Sequence, residues 1–136
     1  MRFELTVDRN NQWFVQLWVS VGGRKALITS KVDSGCNSLV LSHRTLGKLG
    51  ILTDKDTLAK LPEVPGKLAS GDIHTYRKLG AVSLYQNKGQ TAQICKVDAI
   101  CHSAQQTHDL LGTEVFRQFT GVLFNLVGDR YMELRG

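Results

Sequence analysis

The sequence predicts an all-β, mainly antiparallel fold in which short strands close into a barrel or sandwich, with one or two short helices. Three observations support this prediction. Eight to ten short segments either alternate apolar and polar residues or are short apolar runs, as strands do. Glycine, asparagine and aspartate cluster between these segments, as in turns. Only two segments begin with helix cap signals, and a length of 136 residues suits a single domain spanning residues 1–136.

The N-terminal part of the chain is predicted to form consecutive antiparallel strands. Residues 2–7 alternate apolar and polar side chains, and residues 13–21 do so again after a polar turn. Gly22-Gly23 is a two-residue hairpin signal. A third strand is therefore predicted over residues 25–32.

A short helix is predicted after the next strand. Residues 39–41 form an apolar strand, and Ser42 then stands at the N-cap position of a helix over residues 43–49. Gly50 is placed to end this helix, whereas Gly47 inside it lowers its stability.

The second half of the chain is predicted to contain further hairpins and one more helix. Residues 53–60 are charged and predict irregular structure. The other predicted elements are two extended arms around Ser70-Gly71-Asp72, strands over 80–85 and 91–100, a short strand before Gly112, a helix over about 113–119 capped by Thr113, and a closing hairpin from residues 122–127 and 130–134.

Composition and charge narrow the class of protein. Apolar residues make up 42% of the chain and charged residues 21%, as in a folded globular domain. No apolar run is long enough to cross a membrane and no signal-peptide pattern is present, so we expect no membrane partner and a cytoplasmic location, or a soluble domain of a larger chain. The net charge of +5 comes from dispersed basic residues, so no nucleic-acid partner is expected.

The three cysteines predict reduced thiols and no metal site. They are odd in number and widely spaced, and no Cys/His ligand set accompanies them, so neither a metal nor another cofactor is expected. A thiol–imidazole pair between Cys36 and His43 or His74 is an alternative source of chemistry, although no spacing fixes a base beside the thiol.

The stretch around Asp33 is the strongest candidate for a functional site. Asp33-Ser34-Gly35 ends an apolar, β-branched run and is followed at once by another apolar strand. A carboxylate there lies close to the core and loses part of its hydration. Asp33 could cap the amides of Gly35 or Cys36 in an Asx-turn, or it could perform chemistry. Both interpretations stay open on this stretch alone.

Other parts of the chain extend the pattern around Asp33. They are Leu49-Gly50-Ile51 at the end of the short helix, a Gly-containing hairpin, the strand Gly80 to Leu84, and Leu110-Leu111-Gly112 before the last helix. In this order the parts resemble the retropepsin-like aspartic proteases, the single-domain homodimeric class that includes retroviral proteases and their cellular and bacterial relatives. The resemblance covers about residues 10–135.

The resemblance implies a role for each matching residue. Asp33 is the expected catalytic aspartate, Ser34 the hydroxyl that ties two active-site loops together, and Gly35 the turn residue without a Cβ atom. Residues 66–76 match the flap over the substrate, with Ala69, Ser70, Gly71, Asp72 and Ile73 as its expected binding residues. Leu110, Leu111 and Gly112 match the element beneath the catalytic loop.

Two residues depart from the family pattern. Cys36 stands where alanine is usual, and we expect it to fill that place as a small packing residue. Asn37 stands where serine or threonine is frequent, and its amide can still donate a hydrogen bond to an aspartate oxygen. The resemblance thus implies that Asn37 supports the active-site loop.

The resemblance gives each chain a single catalytic aspartate, which implies a homodimer. Peptide hydrolysis by carboxyl groups needs one base and one acid, which a two-fold dimer supplies from two copies of Asp33. The implied function is an aspartic endopeptidase that acts on an extended peptide or protein. Ile73, Val82 and Leu39 are candidates for its apolar specificity pockets, and Tyr131–Leu134 is the candidate strand for the dimer sheet.

Two other functions remain to be weighed. The first is a catalytically weak or inactive relative that serves as a dimerisation or peptide-binding module of a larger protein. The second is a small nucleic-acid-binding β-barrel, which only the net charge favours and the sparse aromatic residues disfavour.

Overall fold

The computed structural model describes residues 1–67, 73–102 and 108–136. Within these ranges the chain forms ten strands and three short helices. The strands are β1 (Arg2–Val7), β2 (Trp13–Val21), β3 (Arg24–Val32), β4 (Leu39–Val40), β5 (Glu63–Lys67), β6 (Ile73–Tyr85), β7 (Cys95–His102), β8 (Asp109–Leu111), β9 (Gly121–Asn125) and β10 (Tyr131–Arg135). The helices are α1 (His43–Lys48), α2 (Lys55–Ala59) and α3 (Thr113–Phe116).

Six strands close into a barrel. Their order is β6-β7-β4-β8-β3-β2, and a further pairing of β2 with β6 completes the circle. Two of the pairings, β3 with β8 and β4 with β7, are parallel, and the others on the barrel are antiparallel. The structure therefore confirms the predicted all-β, closed and mainly antiparallel fold.

The turn between β2 and β3 has the predicted form. Val21 pairs with Arg24, so only Gly22 and Gly23 lie between the strands. Their φ angles are 58° and 84°. Two successive positive φ angles define the tight hairpin turn that matches the twist of the flanking strands, and glycine adopts them at little cost.

The core fills the barrel and continues under the N- and C-terminal strands. Alternate residues of each strand point inward, so their apolar side chains form the core. Apolar side chains of α1 pack into the same core. Its fully buried members include Val15, Val19, Ile28, Leu39, Leu41, Leu46, Val82, Leu111 and Met132. Leu39 and Val82 are therefore core residues and not the lining of a specificity pocket, which corrects the expectation for both.

A second group of strands joins the chain termini to the barrel. The N-terminal half of β1 pairs with β10, and its C-terminal half pairs with β2. β10 also pairs along its whole length with β9. Because β10 lies between β1 and β9, Tyr131–Leu134 has no free edge, and the expectation that it supplies the dimer sheet is wrong.

The first helix follows the prediction, but the second was missed. α1 begins after Ser42, whose hydroxyl accepts a hydrogen bond from the Thr45 amide at 3.3 Å. Gly50 follows it with a φ of 76°. α2 lies within the stretch predicted to be irregular, and it begins at Asp54, whose carboxylate accepts a hydrogen bond from the Thr57 amide at 2.9 Å.

The last helix is shorter than predicted. α3 ends at Phe116, and the chain continues as a turn in which the amides of Gln118 and Phe119 donate to carbonyls three residues back. Its N-cap is Gly112, without a side-chain cap, so Thr113 is the first helical residue and not the cap. Among the described residues, no helix is long and apolar enough to cross a membrane.

β5 and β6 pair as two extended arms on either side of the predicted Ser70-Gly71-Asp72 centre, which lies outside the described residues. They pair antiparallel from Glu63 with Arg77 to Lys67 with Ile73. The expected binding residues Ala69, Ser70, Gly71 and Asp72 lie outside the described residues, and Ile73 opens β6. β6 then runs on through Gly80, with a register shift against β7 between Lys78 and Gly80.

Candidate active site

Asp33 follows β3 at the point where two parallel strands of the barrel end together. Val32 pairs with Leu111 of β8, and the Asp33 amide donates to the Leu111 carbonyl at 3.1 Å. The side chain of Asp33 is half-buried. The carboxylate is thus fixed at the rim of the core and still reaches solvent.

A tight turn orients the carboxylate. Asp33 Oδ1 accepts the Gly35 amide at 3.0 Å, and the Asp33 carbonyl accepts the Cys36 amide at 3.1 Å. This is the Asx-turn considered from the sequence. Asp33 Oδ2 makes no hydrogen bond within the described part of the chain. Capping therefore uses one oxygen of the carboxylate, and the two interpretations of Asp33 do not exclude each other.

Ser34, Gly35 and Asn37 follow Asp33 on the loop. All three are exposed. A Cβ atom added to Gly35 would lie 3.3 Å from Asp33 Oδ1, so the carboxylate would have to shift by a few tenths of an ångström. Asn37 Oδ1 lies 3.5 Å from the Thr113 hydroxyl, which donates to it.

Residues 112–114, the Gly112 segment, contact residues 33–38, the Asp33 loop, through backbone atoms. The Thr113 amide donates to the Cys36 carbonyl at 2.9 Å, and the Glu114 amide donates to the Asn37 carbonyl at 2.8 Å. These two amides belong to the first turn of α3, where no partner exists within the helix. The Asp33 loop therefore supplies acceptors that α3 needs, and α3 in turn fixes the loop.

Gly112 permits this close approach because it has no side chain. A Cβ atom there would lie 2.6 Å from the Cys36 carbonyl oxygen and 2.8 Å from the Asn37 carbonyl carbon. Backbone atoms cannot move aside as a flexible side chain can. Leu111 beside it is fully buried, and Leu110 is half-buried. Leu110, Leu111 and Gly112 thus lie against the Asp33 loop and the core.

The environment of the Cys36 thiol raises its pKa. Burial contributes most to this rise, a hydrogen bond with the Ser38 backbone lowers the pKa, and the charge of Asp33 raises it. Sγ also donates a hydrogen bond to the Ser38 carbonyl at 3.4 Å. The His43 ring contacts the His102 carbonyl at 2.9 Å. These contacts do not support a thiol–imidazole pair of Cys36 with His43.

Sequence reasoning assigned no role to Asp109, which anchors α1 to β8. This buried carboxylate accepts the Ser42 amide at 2.7 Å and the Thr45 hydroxyl at 2.8 Å. Its neighbours are distant in sequence, so the only local signal was an acidic residue at the start of an apolar strand. Asp109 thus fixes the start of α1 against β8, the strand that pairs with β3 before Asp33.

Tyr76 on β6 is a second residue near the loop that the sequence did not single out. Its ring contacts the His102 ring edge-to-face at 5.0 Å. Burial raises the pKa of Tyr76, and its electrostatic interaction with Cys36 adds to the shift. The base of the β5–β6 hairpin therefore lies within electrostatic reach of the Asp33 loop. Within the described ranges, no group of three or more His, Cys, Asp or Glu could hold a metal ion.

Comparison with solved structures finds the same fold in a protease. The chain is similar to the crystal structure of a retropepsin-like aspartic protease from Rickettsia conorii, with a TM-score of 0.59 and 16% sequence identity. The match covers 97% of this chain and 89% of that one. No protein-family model and no curated protein sequence matches the chain. The fold is thus of the retropepsin-like aspartic protease type, and at this identity the likeness shows the fold alone.

Proposed function

We propose that this protein is an aspartic endopeptidase in which two copies of Asp33, one from each chain of a homodimer, activate a water molecule. The observation that carries the proposal is the Asp33 carboxylate itself. It is half-buried at the end of a barrel strand, its Oδ1 is held by the Gly35 amide, and the Gly112 segment fixes its loop. The protease fold shared with the Rickettsia conorii structure supports the same conclusion.

The proposed reaction requires a second carboxyl group. One aspartate cannot both take a proton from water and give one to the substrate at the same time. Two carboxyl groups about 3 Å apart cannot both be ionised, so the pair shares one proton. The ionised member accepts a proton from the bridging water, which attacks the peptide carbon. The protonated member donates a hydrogen bond to the carbonyl oxygen, where negative charge develops.

The other residues of the loop act by positioning these carboxyl groups. The Gly35 amide holds Asp33 Oδ1, Gly112 allows the close backbone contacts, and the amides of Thr113 and Glu114 fix the loop carbonyls. A carboxylate held in this way needs little reorganisation during the reaction. We assign Ser34 and Asn37 to loop support because they flank this turn.

The β5–β6 hairpin is the proposed cover of the site. Its strands pair in register, and Tyr76 at its base is electrostatically coupled to the loop residue Cys36. A hairpin over the carboxyl groups can exclude water and offer backbone hydrogen bonds to a substrate in extended conformation. The proposed substrate is therefore an unfolded or extended segment of a protein, and residues 69–73 are its proposed contacts.

The test is cleavage of a diverse library of unstructured peptides at acidic to neutral pH, at several protein concentrations. We expect cleavage that rises more steeply than linearly with protein concentration, and Asp33→Asn is expected to abolish it because the amide cannot accept a proton from water. Glu114→Gln, which removes a carboxyl group from the neighbouring helix, is the control and should retain cleavage.

Two results would contradict this proposal. Activity that survives Asp33→Asn and is lost on Cys36→Ala would assign the nucleophile to the thiol. Saturable peptide binding without turnover, by a folded dimer, would favour the peptide-binding module instead.

A further inference from the structure

We propose that the groove between α1 and the N-terminal half of β3 binds an acidic segment of another protein, which adds to β3 as an extended strand. The groove has a volume of about 520 Å³, within the range of about 300–1,000 Å³ that is typical of ligand sites. Asp33 is not among the residues that line it. The inference therefore goes beyond the proposed function and stands independently of it.

β3 forms one wall of the groove and leaves part of its edge open. One edge of β3 pairs with β2 along the whole strand. On the other edge β8 pairs only from Ser30 onward, so within the described ranges no strand lies beside Lys25–Thr29 on that side. The side chains of Leu27 and Thr29 are exposed, while those of Ala26 and Ile28 are buried in the core. The open edge therefore lies on the outer side of the barrel.

The direction of the backbone groups follows from the two ends of β3. Val21 and Arg24 close the two-residue hairpin, and the pair that closes such a hairpin exchanges hydrogen bonds. Every second residue from Arg24 onward therefore bonds to β2, and the residues between them face the other edge. At the far end the Asp33 amide donates to β8, which agrees with this alternation. The amides of Leu27 and Thr29 are thus directed towards the groove, where an incoming strand can accept hydrogen bonds from them.

α1 forms the other wall, because it runs alongside this edge. Near its start, Asp109, which pairs with Ser30, accepts the Ser42 amide at 2.7 Å. Just beyond its end, a Cβ atom added to Gly50 would lie 2.5 Å from Nη1 of Arg24. The helix therefore extends from one end of the open edge to the other, and the groove lies between the two.

The side chains that α1 presents to the groove are basic. Arg44 and Lys48 are exposed, and their four-residue spacing places them on the same face of the helix. Neither forms an ion pair within the described part of the chain. Like charges at this spacing repel each other, so an acidic ligand would relieve a repulsion. Asp109 also lines the groove, but it is buried and accepts hydrogen bonds from Ser42 and Thr45.

The strand wall adds apolar surface to these charges. Leu27 is 38% exposed, and the half-buried Phe14 lines the same groove. An extended segment that alternates acidic and apolar residues presents its carboxylates on one face and its apolar side chains on the other. Such a segment can meet the basic side chains and the apolar surface at once.

A peptide fits this groove better than a nucleic acid does. A strand edge pairs with another peptide backbone, whereas a single-stranded nucleic acid needs exposed aromatic rings on which its bases can stack. The Phe14 ring already contacts the His108 ring at 5.4 Å between centroids. The structure therefore favours a protein segment as the occupant.

The test measures binding of a fluorescein-labelled hexapeptide of alternating glutamate and valine by fluorescence anisotropy. It uses Asp33→Asn as the parent protein, so that the proposed protease cannot cleave the probe. We expect saturable binding with a dissociation constant below about 1 mM, weakened by added salt. Arg44→Glu should weaken it at least about tenfold, because it replaces an attraction by a repulsion. Lys55→Glu is the matched control, since it makes the same charge change at an exposed residue of α2 outside the groove, and it should bind as the parent does.

Methylated probes test the strand addition itself. N-methylation of alternate amides removes the hydrogen-bond donors along one edge of an extended peptide and leaves those along the other. Of two probes methylated at complementary positions, one should therefore lose binding and the other should retain it. A probe with lysine in place of glutamate should not bind, because it meets like charges.

Several results would overturn the inference. They are no binding of the acidic probe at about 1 mM, binding by Arg44→Glu and Lys48→Gln equal to that by Lys55→Glu, or equal effects of the two methylation patterns. Binding of an oligothymidylate that depends on Arg44, without binding of the peptide, would assign the groove to nucleic acid instead. Thermal unfolding of each variant shows that it is folded.

Failure of this inference can be separated from failure of the proposed function. The binding measurements use Asp33→Asn throughout, so they give the same answer whether or not the wild type is a protease. Peptide cleavage by a wild type whose groove binds no acidic probe would refute the inference and leave the protease in place. Binding in the groove of a protein that cleaves nothing would do the reverse.

Discussion

Replacing Gly112 by alanine is expected to destabilise the fold and displace the Asp33 loop. The added Cβ atom would lie 2.6 Å from the Cys36 carbonyl oxygen and 2.8 Å from the Asn37 carbonyl carbon. Both are backbone atoms, so the two segments must separate. Separation also weakens the bonds from the amides of Thr113 and Glu114 to the Asp33 loop, which are 2.9 and 2.8 Å long.

The magnitude follows from these contacts. Overpacking in a rigid environment costs about 1–3 kcal/mol, and each weakened backbone hydrogen bond adds about 1 kcal/mol. We expect Gly112→Ala to lower the free energy of unfolding by about 3–5 kcal/mol. Gly47→Ala is the matched control, because Gly47 lies inside α1 with nothing within 4 Å of its added Cβ atom. It should stabilise the protein by about 1 kcal/mol, since alanine is the better helix former.

Urea unfolding followed by tryptophan fluorescence measures both changes. The same slope against urea in each variant would show that the comparison concerns stability alone. Gly112→Ala should also lose peptide cleavage under conditions where it is still folded, because the displaced loops no longer hold the two Asp33 carboxyl groups at the spacing that the reaction needs. The reasoning is refuted if Gly112→Ala unfolds within about 1 kcal/mol of wild type, or if both alanine variants shift stability in the same direction.

Two further predictions concern buried groups. Asp109→Ala leaves the buried Ser42 amide and Thr45 hydroxyl without their acceptor. It should lower the free energy of unfolding in urea by about 2–4 kcal/mol. A decrease below about 1 kcal/mol would contradict this role. Burial raises the pKa of Cys95 to about 11 and also raises that of Cys36. Both should therefore react slowly with iodoacetamide at neutral pH, faster as the pH rises, with the less buried Cys36 first. Rapid labelling of Cys36 in the folded protein at neutral pH would be inconsistent with this environment.

The parts of the fold that depend on local sequence were predictable. Gly22-Gly23 determines its own turn, because few other residue pairs adopt two positive φ angles. Ser42 at the N-cap is recognised from its position before an apolar pattern. The Asp33 turn is local as well, since its bond to the Gly35 amide spans two residues. In each case the interacting groups are neighbours in the chain.

The features that were missed depend on distant residues or on very short segments. α2 has five residues, too few for a clear apolar period, and only the cap at Asp54 marks its start. The position of β10 between β1 and β9 follows from a pairing of the two ends of the chain. The need for glycine at position 112, which only the family resemblance indicated, arises from loop atoms more than seventy residues away. No pattern within a window of sequence contains this information.

The most direct test of the central claim is to mix wild type with Asp33→Asn at constant total protein and measure peptide cleavage after the subunits have exchanged. If one site needs Asp33 from both chains, mixed dimers are inactive and activity follows the square of the wild-type fraction, so an equal mixture retains about one quarter of the activity. If each chain acts alone, activity follows the fraction itself and about one half remains. A quadratic curve is the predicted result, and a straight line would contradict the shared two-aspartate site.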